Sequence, residues 1–73
     1  MIDAIARSYG LTPGEARVLQ AVAEIGGVRP VAVALGLSHT TVKTHLRHIY
    51  QKTGTKRQID LVRLVAAAAA SDK

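Results

Sequence analysis

The sequence contains no cysteine, phenylalanine or tryptophan, and only two tyrosines among its 73 residues. The lack of cysteine excludes a disulfide scaffold, a cysteine-ligated zinc finger and a thiol nucleophile. A core without large aromatic rings must be aliphatic, which favours small helices packed closely together. A chain of this length forms one small domain, so a large catalytic cavity between domains is excluded as well.

Long apolar runs and acidic residues are also scarce. No apolar run reaches the roughly 18 residues of a membrane span, and no signal-peptide pattern opens the chain, so we expect a cytoplasmic protein without a membrane partner.

Ten Lys and Arg oppose five Asp and Glu, a net charge of +5. Residues 25–59 hold six of the basic residues, all three histidines and no acid, which leaves −1 elsewhere. This segment indicates a polyanion partner, with a positive surface kept for solubility as the alternative.

Capping signals and apolar spacing predict an all-α fold, a four-helix bundle. Thr12 and Glu15 form a capping box around Pro13, and Thr55 and Gln58 form a second one. The four helices are predicted over 13–25, 30–35, 39–53 and 56–69, and residues 2–9 form either a short docking helix or a linker. The domain organisation is then a linker or short helix over 1–10, a helical domain over 11–70 and a tail over 71–73.

The middle of the chain has the pattern of a helix-turn-helix. A short helix, a three-residue turn with Gly36 and a longer helix capped by Ser38 follow one another, and Leu37 in the turn is expected to fill the core. At 100° per residue, Val42, Leu46 and Ile49 form one apolar stripe of the longer helix. The opposite face carries hydroxyls, an amide and cations but no carboxylate.

Such a face suits the major groove of DNA, where Arg and Lys reach guanine acceptors and Thr can bond a base or touch a thymine methyl. Lys43, Thr44 and Arg47 share the exposed face and are the predicted base contacts. Hydroxyls and cations near helix ends and loops suit phosphates. The predicted phosphate contacts are Ser38, Thr40, Thr41, His45, Lys52, Lys56 and Arg57.

Other chemistry has little support in the residue pattern. His45 and His48 are three apart on a helix, but no acid or thiolate lies nearby to complete a metal site. The five acids form no pair or triad, and the three serines lack a nucleophile elbow. We therefore expect no catalytic residues, no metal and no cofactor.

The last predicted helix has more apolar surface than one contact with the core needs. Its apolar residues spread over well more than half of the circumference, so either self-association or coverage by the other helices would explain them. If the helix self-associates, the predicted dimer contacts are Leu61, Leu64, Val65 and Ala68.

The segments LTPGEARVL, ALGLSHTTVKTHLRHIYQKTG and DLVRLV together resemble the LuxR/FixJ/NarL-type (GerE-like) DNA-binding domain of bacterial transcription regulators. The resemblance runs without gaps from about Leu11 to Val65. It implies a four-helix bundle whose third helix enters the major groove, with base contacts at Lys43, Thr44 and Arg47. It also implies a dimer contact through the fourth helix.

We therefore expect sequence-specific binding of double-stranded DNA by a bacterial transcriptional regulator, as a homodimer on an inverted repeat. RNA polymerase is a further candidate partner. One alternative is a sigma-factor region-4-like module that reads a promoter element. Another is a helical protein-interaction module whose basic face meets an acidic partner without any DNA.

Overall fold

The computed structural model describes the backbone of residues 2–71 and the side chains of residues 2–68. Within this range the chain is all helical, which confirms the predicted fold class: α1 (Ile2–Tyr9), α2 (Pro13–Ile25), α3 (Val28–Leu35), α4 (His39–Thr53) and α5 (Gln58–Ser71). Residues 2–9 are thus a helix. Ser71 still belongs to α5, so the predicted tail over 71–73 starts too early, and its other two residues lie outside the described ones, as does Met1.

Helices α2 and α4 begin and end where the sequence predicts, because side-chain caps define their starts. The Glu15 N–H donates to Thr12 Oγ1 (3.1 Å), and the Thr12 N–H donates to Glu15 Oε1 (2.9 Å). These two bonds form the predicted capping box of α2. At α4, the Thr41 N–H donates to Ser38 Oγ (3.0 Å), which confirms Ser38 as the N-cap.

Helix α3 begins two residues before the prediction. Gly27 is its N-cap, and the Val31 N–H donates to the Gly27 carbonyl (3.2 Å). Pro30 therefore lies within the first turn, at the third helical position. Proline is tolerated throughout that turn because the N–H groups there have no intrahelical acceptor.

Helix α5 begins two residues later than predicted, and the second capping box does not form. The Gln58 side-chain amide donates instead to the Gly26 carbonyl (3.0 Å), and Thr55 Oγ1 bonds with Thr53 Oγ1 (2.9 Å). The first helical bonds run from the Asp60 and Leu61 N–H groups to the Arg57 carbonyl. The predicted capping box was wrong because the carbonyl of Gly26, after the end of α2, offers the Gln58 side chain a partner from a distant part of the chain.

The turn between α3 and α4 is closed by Gly36 in the left-handed conformation (φ 66°), which residues with a Cβ rarely adopt. The N–H groups of Gly36 and Leu37 donate to the carbonyls of Val33 (3.3 Å) and Ala32 (2.9 Å), the pattern of a Schellman motif. Leu37 does not fill the core as predicted: its side chain lies at the surface, 36% exposed. Buried Val31, Ala32 and Val42 supply the apolar interior at this end of the domain.

The core is aliphatic throughout and is organised around α2, which packs against the other four helices. Helix α4 also packs against α3, and α1 also packs against α5. The buried hydrophobic residues are Ile5, Val18, Leu19, Ala21, Val22, Val31, Ala32, Val42, Leu46, Ile49 and Leu61. Because α2 and α3 hold the apolar stripe of α4, the opposite face of α4 is left to solvent. None of the described helices has the length and apolar character needed to cross a membrane.

Candidate nucleic-acid interface

The outward face of α4 carries the three predicted base contacts. Lys43 and Arg47 are exposed, and Thr44 is half-buried beside them. Val42, Leu46 and Ile49 anchor the helix from the other side with exposures of 0, 5 and 0%. Since α4 contains no Asp or Glu, this face offers donors and positive charge without a competing carboxylate.

One flank of α4 lies against the first turn of α2 through a buried carboxylate. Glu15 is only 3% exposed, and the Lys52 ammonium donates to its Oε1 over 2.7 Å. His48 Nδ1 lies 3.4 Å from the other carboxylate oxygen, Oε2. Lys52 also donates to the Gly10 carbonyl (3.1 Å). The contact therefore joins α4 to α2 and to the end of α1.

Burial by itself would raise the pKa of Glu15. The hydrogen bonds from Lys52 and from the Thr12 N–H, with the charges of Lys52 and His48, outweigh burial and lower that pKa below its ordinary value of 4.5. Glu15 is therefore ionised at neutral pH, and its negative charge is compensated inside the domain. The Glu15 carboxylate therefore adds no exposed negative charge beside the outward face of α4.

Lys52 has a second role that sequence reasoning missed. The sequence predicts a phosphate contact at Lys52, but two of the three donors of its ammonium already go to Glu15 and Gly10. The capping box predicted the position of Glu15, but no local pattern links it to a lysine 37 residues later. Only the packing of α2 on α4 brings the pair together.

His45 lies on the same flank, against Gly14. A Cβ added at Gly14 would come 3.3 Å from His45 Cε1, so the imidazole occupies space that a side chain at position 14 would otherwise fill. Within the described residues, the buried His45 Nδ1 has no hydrogen-bond partner. His45 also lines a cleft of about 140 Å³ together with Gly14, Arg17, Leu35 and Leu37.

The other predicted phosphate contacts surround the ends of α4. Thr40 is exposed in the first turn, and Thr41 Oγ1 there accepts a hydrogen bond from the Ser38 hydroxyl (2.9 Å). Lys56 and Arg57 are exposed between α4 and α5, and Arg57 Nε lies 3.9 Å from an oxygen of Asp60. The structure thus brings hydroxyls to one end of α4 and cations to the other.

The predicted dimer contacts on α5 do not all lie at the surface. Leu61 is fully buried (0% exposed) in the core, so the prediction that it contacts a second copy is wrong for this fold. Leu64, Val65 and Ala68 are half-buried against the core. Helix α1 packs beside Leu64 and Ala68 and covers part of the apolar surface that the sequence left without a partner.

His45 and His48 of α4 do not assemble a metal site in the described part of the chain. His48 pairs with Glu15, and His45 faces Gly14. Within residues 2–71, no three side chains of the metal-binding types come together.

The fold and this face define a helix-turn-helix DNA-binding domain. Residues 9–65 match the family model described as bacterial regulatory proteins, luxR family. The match spans well over half of the chain, so the chain belongs to the luxR family of bacterial regulatory proteins, as the resemblance in the sequence predicted.

The chain is also similar to curated proteins named as candidate HTH-type transcriptional regulators. Relatives from two strains of Mycobacterium tuberculosis and from Mycobacterium bovis are each 41% identical to it over 58 residues. The similar region is 78% of this chain but only 7% of the length of each relative. No solved structure matches the chain significantly.

Proposed function

We propose that this domain binds double-stranded DNA sequence-specifically and that it does so by inserting α4 into the major groove. The observation that carries the proposal is the exposed, acid-free face of α4, held outward by the buried stripe on its other side. A face adapted only to water normally mixes both charge signs. A purely cationic face with hydroxyls and an amide is complementary to the groove and to its phosphates.

In this proposal the residues divide into two roles. Lys43, Thr44 and Arg47 contact base edges, because Lys43 and Arg47 are exposed on the outward side of α4 and Thr44 lies half-buried beside them. Backbone phosphates are contacted by Ser38, Thr40, Thr41, His45, Lys52, Lys56 and Arg57. Lys52 takes part with the single donor that Glu15 and Gly10 leave free.

We further propose that the domain serves a bacterial transcription regulator in the cytoplasm, where the chromosome is found. The names of its relatives support this role, although they are far longer than this chain. Homodimer formation through α5 on an inverted repeat belongs to the same proposal, with Leu64, Val65 and Ala68 as contacts and without Leu61. A contact with RNA polymerase would follow where the bound site lies beside a promoter.

Selection of bound sites from a random duplex pool tests the proposal most directly. Repeated rounds with the full chain should enrich a defined motif, and an inverted repeat within it would support a dimer. The enriched duplex and a scrambled duplex of equal length then serve in fluorescence anisotropy. We expect the enriched duplex to bind more tightly by about a thousandfold or more at physiological salt.

Equal affinity for the two duplexes would contradict sequence-specific recognition. Absence of binding to either, together with binding to an acidic polypeptide such as polyglutamate, would favour the protein-interaction alternative. A motif without internal symmetry would remove the inverted repeat from the proposal and leave the role of α4 intact.

A further inference from the structure

Arg17 of α2 is a cation that none of the predicted DNA contacts includes. It is exposed and lines the cleft of about 140 Å³ that it shares with Gly14, Leu35, Leu37 and His45. The cleft therefore lies where α2, the turn after α3 and the flank of α4 meet. The proposed function assigns no task to this cleft.

The neighbouring contacts show that Arg17 lies on the side of α2 next to the flank of α4. One turn before it, Gly14 faces His45, since a Cβ added at Gly14 would come 3.3 Å from His45 Cε1. In the same turn Glu15 pairs with Lys52, so the first turn of α2 lies along the recognition helix. Leu37, beside Arg17 in the cleft, belongs to the turn that leads directly into α4.

The charge of Arg17 is also uncompensated. Within residues 2–68, no carboxylate pairs with its guanidinium, whereas Lys52 on the same flank is paired with Glu15. Glu24 follows on α2, and both residues line another groove, yet the two do not form an ion pair. Of these two cations, Arg17 is therefore the one that is not paired with a carboxylate of the described residues.

A helix in the major groove has a phosphate backbone along each flank, because the groove is only about 12 Å wide. A cation on a neighbouring helix at that flank meets phosphates rather than bases. The guanidinium is suited to this contact because its planar fork can donate two parallel hydrogen bonds to phosphate oxygens.

We propose that Arg17 binds a backbone phosphate of the DNA beside α4, with the cleft between His45 and Leu37 next to the contact. The inference rests on the proposed function, since it needs α4 in the groove. It extends the interface from the helix-turn-helix to α2 and makes α2 both the support of the recognition helix and a part of the binding surface.

The test compares Arg17→Ala with Arg63→Ala in the full chain. Arg63 is also an exposed arginine, but it lies on α5, which packs against α1 and α2. Each variant removes one positive charge, so a general effect of net charge would be the same in both. Anisotropy titrations over a range of salt concentrations use the selected and the scrambled duplex, and circular dichroism verifies the helix content.

We expect Arg17→Ala to reduce the slope of log K against log salt by about 0.9, the value for one phosphate contact. The reduction should be equal on the two duplexes, while Arg63→Ala keeps the slope of the unchanged chain. Arg17→Lys should retain most of the slope because it retains the charge.

Equal slopes for Arg17→Ala and Arg63→Ala would overturn the inference while leaving DNA binding by α4 standing. A loss confined to the selected duplex would overturn it as well, because that result identifies a base contact. If the unchanged chain binds neither duplex, the proposed function fails, and the phosphate contact of Arg17 fails with it.

Discussion

The ammonium of Lys52 lies 2.7 Å from Oε1 of Glu15, and this ion pair joins the last turn of α4 to the first turn of α2. The carboxylate side is buried, with 4% of the side chain exposed, while 35% of the lysine side chain reaches solvent. The same carboxylate receives the Thr12 N–H of the capping box. One buried acid thus caps its own helix and fixes the recognition helix beside it.

Replacing Lys52 by Ala should lower the free energy of unfolding by about 1–3 kcal/mol. The buried Glu15 carboxylate would lose its strongest donor, and a buried charge without its partner is costly. The partial exposure of Lys52 keeps the effect below that of a fully buried pair. Urea unfolding measures it, with Lys43→Ala as the control.

Lys43 lies on the same helix but is exposed and has no ion pair among the described residues. Its replacement should change stability by less than about 0.5 kcal/mol. Equal stabilities of the Lys52 and Lys43 variants would show that the ion pair does not hold α4 in place.

The lowered pKa of Glu15 predicts loss of stability in acid. Unfolding raises this pKa toward 4.5, so the unfolded chain binds the proton more readily than the folded one. The contribution of Glu15 is therefore fully present above about pH 5 and is lost as the pH falls through 4.5 and then through the lower folded value.

Urea unfolding between pH 3 and pH 7 should show this dependence in the unchanged chain. Glu15→Gln should be less stable at pH 7 and should depend less on pH in that window. Glu24→Gln, at an exposed position of the same helix, should keep the dependence. A Glu15→Gln variant with the full dependence would assign the effect to other carboxylates.

Replacing Arg47 by Ala should cost about 1–3 kcal/mol of binding free energy on the selected duplex and relax specificity at one base position. The arginine is exposed on the outward face of α4, where its donors can reach guanine O6 and N7. Anisotropy with single-base variants of the site measures both effects. Equal losses on the selected and scrambled duplexes would argue against base recognition by Arg47.

Leu61 should behave as a core residue and Ile59 as a surface residue, although only Asp60 separates them on α5. Leu61 is 0% exposed and Ile59 is 49% exposed. Leu61→Ala should therefore lose about 2–5 kcal/mol of stability through the lost burial and the cavity left behind. Ile59→Ala should lose less than about 1 kcal/mol. Thermal and urea unfolding distinguish these outcomes, and similar losses would contradict the packing of α5.

The proposed dimer is tested best at Ala68, where a new charge disturbs the core least. Ala68→Glu introduces a carboxylate into a half-buried apolar position, so it should abolish self-association while leaving the helix content intact. Sedimentation velocity at several concentrations measures the association, with Ile59→Glu as the control on α5. An unchanged chain that stays monomeric at high concentration, alone and on DNA, would end the dimer proposal.

Local chemistry allowed much of the fold to be predicted. Thr12 and Ser38 cap the starts of α2 and α4, and two glycines in the left-handed conformation follow the ends of α3 and α4, Gly36 (φ 66°) and Gly54 (φ 71°). Such caps and glycines act within a few residues of the helix end. The errors at α3 and α5 have two different causes. Pro30 is compatible with several positions of a first turn, and Gln58 finds its acceptor at Gly26, the C-cap of α2, 32 residues away.

The candidate site could likewise be predicted from the sequence only in part. Helical periodicity predicts which side of α4 faces outward, since a side chain's direction depends only on its place in the helix. Periodicity on α5 could not distinguish Leu61 in the core from Leu64 and Ala68 beside α1. That distinction depends on which helices pack against α5. The sequence shows that these residues are apolar, but not whether they face the core or α1.

The sequence by itself determined the helical class, the acid-free basic segment and the outward residues of the recognition helix. All three follow from composition, caps and period, which are properties of neighbouring residues. The tertiary structure alone decided that Lys52 is joined to Glu15 and that Arg17 borders the recognition helix without an acidic partner among the described side chains. Both relationships arise because the packing of buried side chains brings α2 and α4 together, and that packing acts between residues far apart in the chain.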